Sequence, residues 1–514
     1  MRLHLPVRSV APAPQRPVKP VAWPLWVLSV ALGAAAPLSA GAQTRSSGLS
    51  AGLSTDLSYN INSRLGGRDG AEWIGRVTPS LSVQSRSGRV VGSLDYGLTL
   101  TERSRQEPSS DVSNRLSANF SAEAVPRHFY IDGSASIAQQ SNSAFGLQSV
   151  GSSASDNPNR SEVGAASLSP VLRGVLAGAV SVEARLNASA VNTRRSLVGD
   201  NIQTGGSLSM SSALPGTLVT WGLSARSTET DFRVGRTTSA DSATATLGWQ
   251  ADADLSLSAR GGTESQDVQE FERRRTNTWG VGANWRPSPR TRLQADLDDR
   301  FFGRGYAVIA EYRLPRTSFT WSSNRDTSNG AGSRFDSITQ FQQFMALFAV
   351  DIPDPVAREA AVRELLTTLG VDPLQVVQPG FVTAAVSVTE RHQLSWAWSG
   401  LRLNFSAQAN RSTSTVIDAA ASDITREPVR QHGYSANVGY RLSPTSSLTA
   451  TGSRQMIKAT STQPSNDLKS ATLTWTEQLG RRTNASLSTR YTVFNSATDP
   501  YREAAITASL VMRF

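Results

Sequence analysis

The sequence predicts an all-β protein: a single large antiparallel transmembrane β-barrel with one helical insert in an outer loop. Three observations lead to this fold class. Segments of roughly 8–13 residues alternate apolar and polar side chains, as tilted strands that cross a bilayer do. Short turns and longer polar loops follow these segments in alternation. Beyond residue 42, no stretch is apolar over the ~18 residues that a membrane-spanning helix needs.

Alternation is clearest near the C-terminus, where Leu473 and Trp475 are flanked by threonines. Proline and glycine suit tight reversals and mark most of the short turns, which are expected on the periplasmic side. The ten predicted short turns are Ser87-Gly88, Val125–Arg127, Ser169-Pro170, Leu214–Gly216, Ala251–Asp254, Arg286–Arg290, Leu314–Arg316, Ser399-Gly400, Ser443–Thr445 and Gly480–Arg482. With one strand before them and one after, they predict about 22 strands, within a range of 18 to 24.

Composition excludes several classes of protein. The chain has 514 residues, no cysteine, 39% hydrophobic residues and a mean hydropathy of -0.28, which is too polar for several packed helical cores. Without cysteine there are no disulfides, thiolate metal sites or lipoprotein anchors. The net charge of +10 includes four cations within the first 42 residues, so +6 remains for the rest. No polybasic run follows, and no nucleic-acid partner is expected.

The first 42 residues are predicted to be a signal peptide. A basic start precedes an apolar segment from Val21 to Ala36, and Ala40-Gly41-Ala42 fits a cleavage site before Gln43. An uncleaved membrane anchor is the alternative, but the apolar segment is short and contains Pro24. We therefore expect residues 43–514 to form the barrel of a Gram-negative outer membrane.

The last strand carries the most specific local signal. Ile506, Leu510, Met512 and Phe514 lie on one side of the alternation, and the final residue is aromatic. This pattern predicts an assembly signal that barrel-assembly machinery recognises. An edge strand of a soluble sandwich is the alternative. Arg513 should face inward or lie at the periplasmic rim, and charges within strands should generally point into the lumen, because a charge at the lipid midplane costs roughly 2–4 kcal/mol.

Tryptophan placement agrees with a membrane barrel. All tryptophans after residue 42 fall in predicted strands, mostly near strand ends, where amphipathic rings favour the level of lipid headgroups. They are Trp73, Trp221, Trp249, Trp279, Trp285, Trp321, Trp396, Trp398 and Trp475. The β-propensity of tryptophan is an alternative explanation of this placement.

Residues 337–369, called the insert below, break the period of two. Phe341, Phe344 and Phe348 recur at helical spacing, and Asp354-Pro355 fits the start of a second helix that contains Leu365. The strand count places the insert on the outer side. It could plug the lumen, lie across the mouth as a lid, or pack on a partner, and a lid or constriction formed by these four side chains is favoured.

In the order of its motifs, the sequence resembles the outer-membrane proteins associated with PEP-CTERM/exosortase systems, which occur in exopolysaccharide loci. The resemblance rests on Thr78-Pro79, Gly92–Tyr96, Gln139–Gly146, Phe301–Gly303 and Ile352–Arg358. It implies an outer-membrane barrel that serves the export or surface deposition of a polysaccharide, together with periplasmic export components. It supplies no catalytic residues.

No enzyme site is predicted, and no cofactor or metal is expected. His128, His392 and His432 lie in no recognisable nucleophile motif, and each is interpreted as an interfacial or lumen-facing polar residue. Asp298-Asp299 beside Arg300 predicts a lumen ion pair. Asp351 and Asp354 could attract calcium, but their neighbouring prolines and the helix cap explain them, and no metal site is assigned. Three functions stay open: a channel for polysaccharide, which is favoured; a non-conducting barrel that anchors glycan; and, as a distant third, a lipid-modifying enzyme.

Overall fold

The protein is described here from a computed structural model. The structure describes residues 48–61, 70–85, 88–104, 110–150, 157–194, 200–212, 216–269, 272–328, 386–418 and 427–514, with isolated residues between 338 and 378. The predicted signal peptide, residues 1–42, and its cleavage site after Ala42 lie outside the described residues.

Long strands account for most of the described chain. They are β1 (Gly48–Ile61), β2 (Glu72–Ser85), β3 (Val90–Arg103), β4 (Ser110–Val125), β5 (Phe129–Ser141), β6 (Arg160–Leu176), β7 (Val180–Thr193), β8 (Asn201–Ser212), β9 (Val219–Phe232), β10 (Thr238–Gln250), β11 (Leu255–Gln266), β12 (Arg274–Ser288), β13 (Thr291–Arg300), β14 (Gly303–Leu314), β15 (Thr317–Ser328), β18 (Ser387–Ser399), β19 (Leu403–Val416), β20 (Val429–Arg441), β21 (Ser446–Ile457), β22 (Asn466–Gly480), β23 (Thr483–Asn495) and β24 (Tyr501–Arg513). Two short strands, β16 (Ile338–Thr339) and β17 (Val376–Gln378), pair only with each other.

The 22 long strands form one closed antiparallel barrel. Each pairs with its neighbours in the sequence, and β24 returns to pair with β1, from Gly52 opposite Arg513 to Ile61 opposite Ala504. Closure removes the unpaired edges that a lipid environment does not tolerate. The predicted fold class and strand number are confirmed.

The two ends of the barrel differ. At one end the connections are two to six residues long, and at the other most are longer, up to the stretch between β15 and β18 that contains the insert. We call these the short-turn end and the long-loop end. β1 starts and β24 finishes at the short-turn end. The shortest connection at the long-loop end is the two-residue Phe301-Phe302. The sequence predicts an unusually short outer loop just beyond it, at residues 303–305, but these residues begin β14.

One predicted turn is wrong. Ser169-Pro170 lies inside β6, where Pro170 stands opposite Ile131 of β5. The register between β6 and β7 skips residues 169 and 170, because proline has no N–H to donate to that neighbour. The turn comes instead at Ala177 and Gly178, whose φ angles of 49° and 70° reverse the chain.

Strand register sorts the side chains onto two faces, since directly opposed residues share a face and neighbours along a strand alternate. All nine tryptophans named above share the outward face. Seven of them lie toward the short-turn end: Trp221, Trp249, Trp285, Trp321, Trp396, Trp398 and Trp475. There Trp396 contacts Phe319 and Phe405, with ring centroids 6.1 and 4.6 Å away. An outward aromatic girdle of this kind matches the level of a headgroup layer.

Within the insert, the described residues that have a regular conformation are helical or belong to β16. Phe341, Phe344 and Met345 are helical, as are residues 358–359 and 361–363. Phe348 and Leu365, two of the four predicted constriction residues, lie outside the described residues, as do Asp351 and Asp354. Among the residues that can be described, no helix is long and apolar enough to cross a membrane.

Candidate functional site

The inner wall of the barrel is polar and carries paired charges. On the β5–β7 side, Arg185 donates to Asp132 at 2.9 Å, and Arg173 donates to Glu183 at 2.7 Å. Arg260 of β11 lies between Asp296 and Asp298 of β13. These side chains stand on strand positions that alternate with outward apolar residues. The lumen wall therefore neutralises much of its own charge.

The predicted lumen ion pair near Asp298-Asp299 is only partly right. Asp298 faces inward but pairs with Arg260, not with its neighbour in the sequence. Arg300 pairs with Glu264 and with Asp326 instead. Asp299 is opposite the outward Trp279 and so faces out. Alternation explains the difference, because adjacent residues of a strand point to opposite faces.

The insert crosses the lumen. It leaves the wall between β15 and β18, and Arg363 donates to Asp95 of β3 at 2.9 Å. Asp95 faces inward and also accepts from the Ser82 hydroxyl at 2.7 Å. In the ring of 22 strands, β3 lies nine strands beyond β18, so this contact is made on nearly the opposite wall. Asp95 also lies in the half of β3 nearer the short-turn end. A contact at that depth distinguishes a segment inside the lumen from a lid over the mouth.

Side chains of the insert support this contact. Arg363 also donates to Glu359 at 2.9 Å, one helical turn away, and its guanidinium lies 5.0 Å from the ring centroid of Phe341. Burial alone lowers the pKa of Arg363, but Asp95 and Glu359 outweigh it and raise the pKa above the usual value. Phe344 and Val362 are buried. The insert thus combines a small apolar cluster with one charged contact to the wall.

A second obstruction was not foreseen from the sequence. Residues 142–150 and 157–159, between β5 and β6, form a loop that we call the mouth loop. Gln148 holds its shape by donating to three backbone oxygens, and Asn157 donates to the Leu147 carbonyl at 2.8 Å. Such side-chain to backbone bonds substitute for a regular ladder in a compact loop.

The mouth loop is fastened to strands that lie five to seven positions from β5 around the ring. Asn466 of β22 donates to the Phe145 carbonyl at 2.7 Å, and the Tyr501 hydroxyl of β24 donates to the Gln148 carbonyl at 2.8 Å. Leu147 and Val150 pack against the inward side chains of Leu468, Phe494 and Tyr501. The loop therefore covers the inner face of β22–β24.

A third contact spans the mouth. Arg236, in the connection between β9 and β10, lies 3.4 Å from Asp418, which follows β19. It also donates to the carbonyls of Asp267 and Val268. From β10 to β19 is seven strands around the ring. The long-loop end is thus narrowed by contacts between distant sectors of the barrel.

The inner wall is not covered evenly. Inward hydroxyl and amide side chains of β19, among them Ser406, Gln408 and Ser412, are buried. Those of β8 and β9 toward the short-turn end, such as Ser209, Ser211 and Thr220, are exposed. A cavity of about 490 Å³ lies against this wall, and its lining includes Thr246, Gly248, Ser256, Ser258 and Gly282. Small polar side chains therefore line the uncovered side of the lumen.

The expectation that charged strand residues point inward is wrong near the long-loop end. Arg411, Arg430, Arg454, Lys469 and Glu390 all occupy outward positions there. The cost of an outward charge falls to about 0–1 kcal/mol near the membrane interface, so only the middle of the strands is under strong selection for inward charge. Arg513, which is opposite the inward Gly52, faces inward as predicted.

His392 and His432 also face outward, not into the lumen. His392 Nδ1 lies 2.8 Å from the Ser323 hydroxyl and its Nε2 lies 2.8 Å from Glu390, to which the Tyr306 hydroxyl donates at 3.2 Å. Serine, histidine and carboxylate in this order are the parts of an acyl-transfer triad. Here the serine is 4% exposed, and the neighbouring strand residues lie within continuous ladders that occupy their backbone N–H groups. With its serine covered, the arrangement forms a polar network on the outward face of the wall.

The predicted assembly residues stand at the barrel seam. Ile506, Leu510 and Met512 face outward from β24, and the backbone N–H of Phe514 donates to Ala51 of β1 at 2.8 Å. The Phe514 ring is exposed. His128 lies in the turn between β4 and β5. In the part of the chain that the structure describes, no three acidic or histidine side chains group as metal ligands would.

No protein-family model matches the chain, and no curated protein matches it. Solved structures with a similar architecture include the FrpB iron transporter of Neisseria meningitidis in its apoprotein form, at 10% identity, 92% coverage of this chain, 82% of that chain and a TM-score of 0.49. The siderophore receptor PirA of Pseudomonas aeruginosa has 10% identity, coverages of 90% and 80%, and a TM-score of 0.45. OccK5 of the same organism has 11% identity, coverages of 91% and 98%, and a TM-score of 0.29. These likenesses concern the outer-membrane barrel architecture alone.

Proposed function

We propose that this chain is an outer-membrane channel for an extracellular polysaccharide, and that the insert restricts its lumen. In this proposal the signal peptide is cleaved near Ala42, barrel-assembly machinery inserts the chain, and periplasmic export components deliver the polymer. The resemblance to barrels of PEP-CTERM/exosortase systems supports the polysaccharide setting. The chain acts as a conduit and carries out no chemistry.

The observation that carries the proposal is the uneven filling of the lumen. The insert reaches Asp95 on one side, whereas the wall of β8–β13 keeps exposed inward hydroxyls and a cavity of about 490 Å³. A lumen of about 22 strands is too wide to be filled by strand side chains alone. Among its described residues, Arg363 holds the insert to the wall through Asp95, and an ion pair of this kind can be displaced at lower cost than a hydrogen-bonded strand.

The wall chemistry suits a chain of sugars. Hydroxyl side chains follow one another on the uncovered inner wall of β8 and β9, as Ser209, Ser211, Thr220 and Ser224. Such groups both donate and accept hydrogen bonds, as sugar hydroxyls do. A neutral polar wall exchanges these bonds with water at little net cost, which favours passage over tight retention.

The insert is the proposed constriction. Phe341 and Phe344 belong to its described part, and Phe348 and Leu365 complete the set that the sequence predicts. We expect the polymer or a periplasmic component to displace this segment by competing for Asp95. The apolar cluster then reforms when the polymer has passed.

The test replaces residues 337–369 by a short Gly/Ser loop in the intact chain. The barrel should fold and migrate as a heat-modifiable band, single-channel conductance and sensitivity to large antibiotics should rise, and polymer export in the native host should change. The matched control replaces residues 458–465, the loop between β21 and β22, in the same way. Unchanged conductance and permeability after loss of the insert would contradict the constriction.

A non-conducting barrel that anchors glycan is the second candidate. It is favoured by the mouth loop and by the Arg236–Asp418 contact, which narrow the long-loop end. Single-channel conductance distinguishes the channel from the glycan-anchoring barrel. If neither the insert deletion nor loosening of the mouth loop yields measurable conductance, the anchoring function is the better one.

A further inference from the structure

The outward face of β19–β24 carries an unusual set of charges near the long-loop end. Six exposed cations stand there with one carboxylate on the same strands, Asp467, and a second, Glu390, on the adjoining β18. We call this set the cationic surface; its cations are Arg411, Arg430, Arg454, Lys458, Lys469 and Arg502. On the neighbouring strands β1 and β2, the outward positions carry no charged residue. The concentration therefore stops at the barrel seam, although other sectors of this end also carry outward cations, such as Arg275, Arg304 and Arg325.

The cations form two groups. Arg430 and Lys458 are directly opposed across β20 and β21, where the Lys458 N–H donates to the Arg430 carbonyl at 2.9 Å. Arg411 is opposite His432, one step closer to the membrane centre. Arg454, Lys469 and Arg502 lie in a second row across β21–β24, interrupted only by Val493. Four residues along β20 separate the two rows, which is roughly 13 Å.

In the first group, only Arg411 has a carboxylate of the chain near it, that of Glu390 on β18. Among the described residues, no ion pair involves Arg411, Arg430, Lys458 or Arg502, whereas Arg454 and Lys469 share Asp467 at 2.9 and 3.3 Å. Like charges that are directly opposed in a sheet destabilise it. Two cations elsewhere on the outward face have partners within the chain: Arg273 pairs with Asp241, and Arg325 stacks on Phe302. The cationic surface can therefore bind an anion from outside the chain.

Its position restricts what that anion can be. Outward strand residues face lipid, and those near the strand ends face the headgroup layer. There a charged side chain costs little free energy, and anionic lipid headgroups lie close to it. Tyr434 and Tyr491 are exposed on the same face, 49% and 51%, and offer rings and hydroxyls at the same level. A soluble anion would have no reason to select lipid-facing positions, and two rows of cations suit a headgroup with more than one phosphate.

We infer that the cationic surface binds the phosphorylated sugar headgroup of a glycolipid in the outer leaflet. The two rows contact separate phosphates, Arg guanidinium groups donate to their oxygens in pairs, and the tyrosines contact the sugar rings. This inference rests on the proposed outer-membrane location. It is independent of whether the lumen conducts.

The experiment uses the purified full-length barrel in a zwitterionic detergent and titrates it with diphosphorylated lipid A. Arg430→Gln together with Lys458→Gln should weaken binding roughly 30-fold. The reason is that each basic residue near an anionic lipid surface raises the affinity about fivefold. The matched control is Arg273→Gln with Arg275→Gln, which removes two cations from the same end of another sector. The control should change binding less than about twofold, since Arg273 is already paired with Asp241.

A second arm varies the lipid and leaves the protein intact, so it does not depend on variant folding. Dephosphorylated lipid A should bind at least tenfold more weakly than the diphosphorylated form, as expected for charge-assisted contacts. Equal binding of the two forms, or of a simple anionic phospholipid, would overturn the glycolipid assignment. Equal loss in both double variants would show that the cationic surface is not a distinct site. Single-channel conductance of the Arg430/Lys458 variant tests the lumen separately and should match that of the unmodified protein.

Discussion

The same kind of side chain plays two different roles on the two faces of this barrel. Inside, Arg103, Arg185, Arg260, Arg363 and Arg490 each pair with a carboxylate of the protein. Outside, Arg411, Arg430 and Arg502 have no ion pair within the described chain. Each of these inner arginines has a counter-ion within the protein, whereas these three outer ones form no ion pair among the described residues. Pairing, more than charge itself, separates structural arginines from ligand-binding ones.

Two neighbours in β24 show the contrast most directly. Glu503 faces inward, is 1% exposed and pairs with Arg490, while Arg502 faces outward and is exposed. Removing one partner of a buried pair leaves the other charge uncompensated. Removing an exposed, unpaired charge costs little in a detergent solution. Each of the following experiments tests this difference, from the largest expected effect to the smallest.

Glu503→Gln should lower the free energy of unfolding by about 3–5 kcal/mol, because Arg490 stays buried without its counter-ion. Arg502→Gln should change it by less than about 0.5 kcal/mol. Urea unfolding of the refolded barrel in detergent, followed by heat-modifiable migration, measures both. Equal effects of the two changes would remove the distinction between the faces.

Asp95→Asn should raise single-channel conductance toward that of the insert deletion, because it removes the carboxylate that holds Arg363 on the wall. The double change Asp95→Arg with Arg363→Asp should restore the low conductance by reversing the pair. Asp132→Asn, which breaks a wall-to-wall pair with Arg185, is the matched control and should leave conductance near its original value. A swap that fails to restore the constriction would show that the insert is held by other contacts.

Raising NaCl from low to high concentration should weaken glycolipid binding at the cationic surface while leaving the unfolding free energy almost unchanged. Exposed charges are screened over a Debye length of about 10 Å at 0.1 M salt, whereas buried pairs are screened much less. A parallel titration of lipid affinity and of urea unfolding across the same salt series checks this. A salt-independent lipid affinity would indicate apolar binding.

Tyr501→Phe should have the smallest effect. It removes the hydroxyl that donates to the Gln148 carbonyl but keeps the ring that packs on Phe494, and one such bond contributes about 1 kcal/mol. We expect faster proteolysis within the mouth loop, with the barrel itself unaffected. Tyr491→Phe, on the outward face of β23, is the control. Unchanged proteolysis of the mouth loop would mean that Asn466 and the apolar contacts are sufficient to hold it.

Much of the fold could be predicted from local patterns because most contacts of a membrane barrel join strands that are neighbours in the sequence. Each strand pairs with the next, so a period of two and a succession of turns determine strand number and faces. The error at Ser169-Pro170 arose because a missing N–H affects pairing with only one neighbouring strand, so β6 continues to pair with β5 through Pro170 while its register with β7 is interrupted. The error over outward charges arose because sequence alternation carries no information on depth in the bilayer.

The sequence by itself determined the barrel, its approximate strand number, the outward tryptophans and the position of a helical insert, since all of these depend on neighbours in the chain. Only the tertiary structure decided where the insert and the mouth loop go. Arg363 meets Asp95, and Asn466 meets Phe145, across separations of 268 and 321 residues. Such contacts arise because the pairing of β24 with β1 closes the barrel and brings distant strands around one lumen. Local sequence patterns therefore cannot predict them.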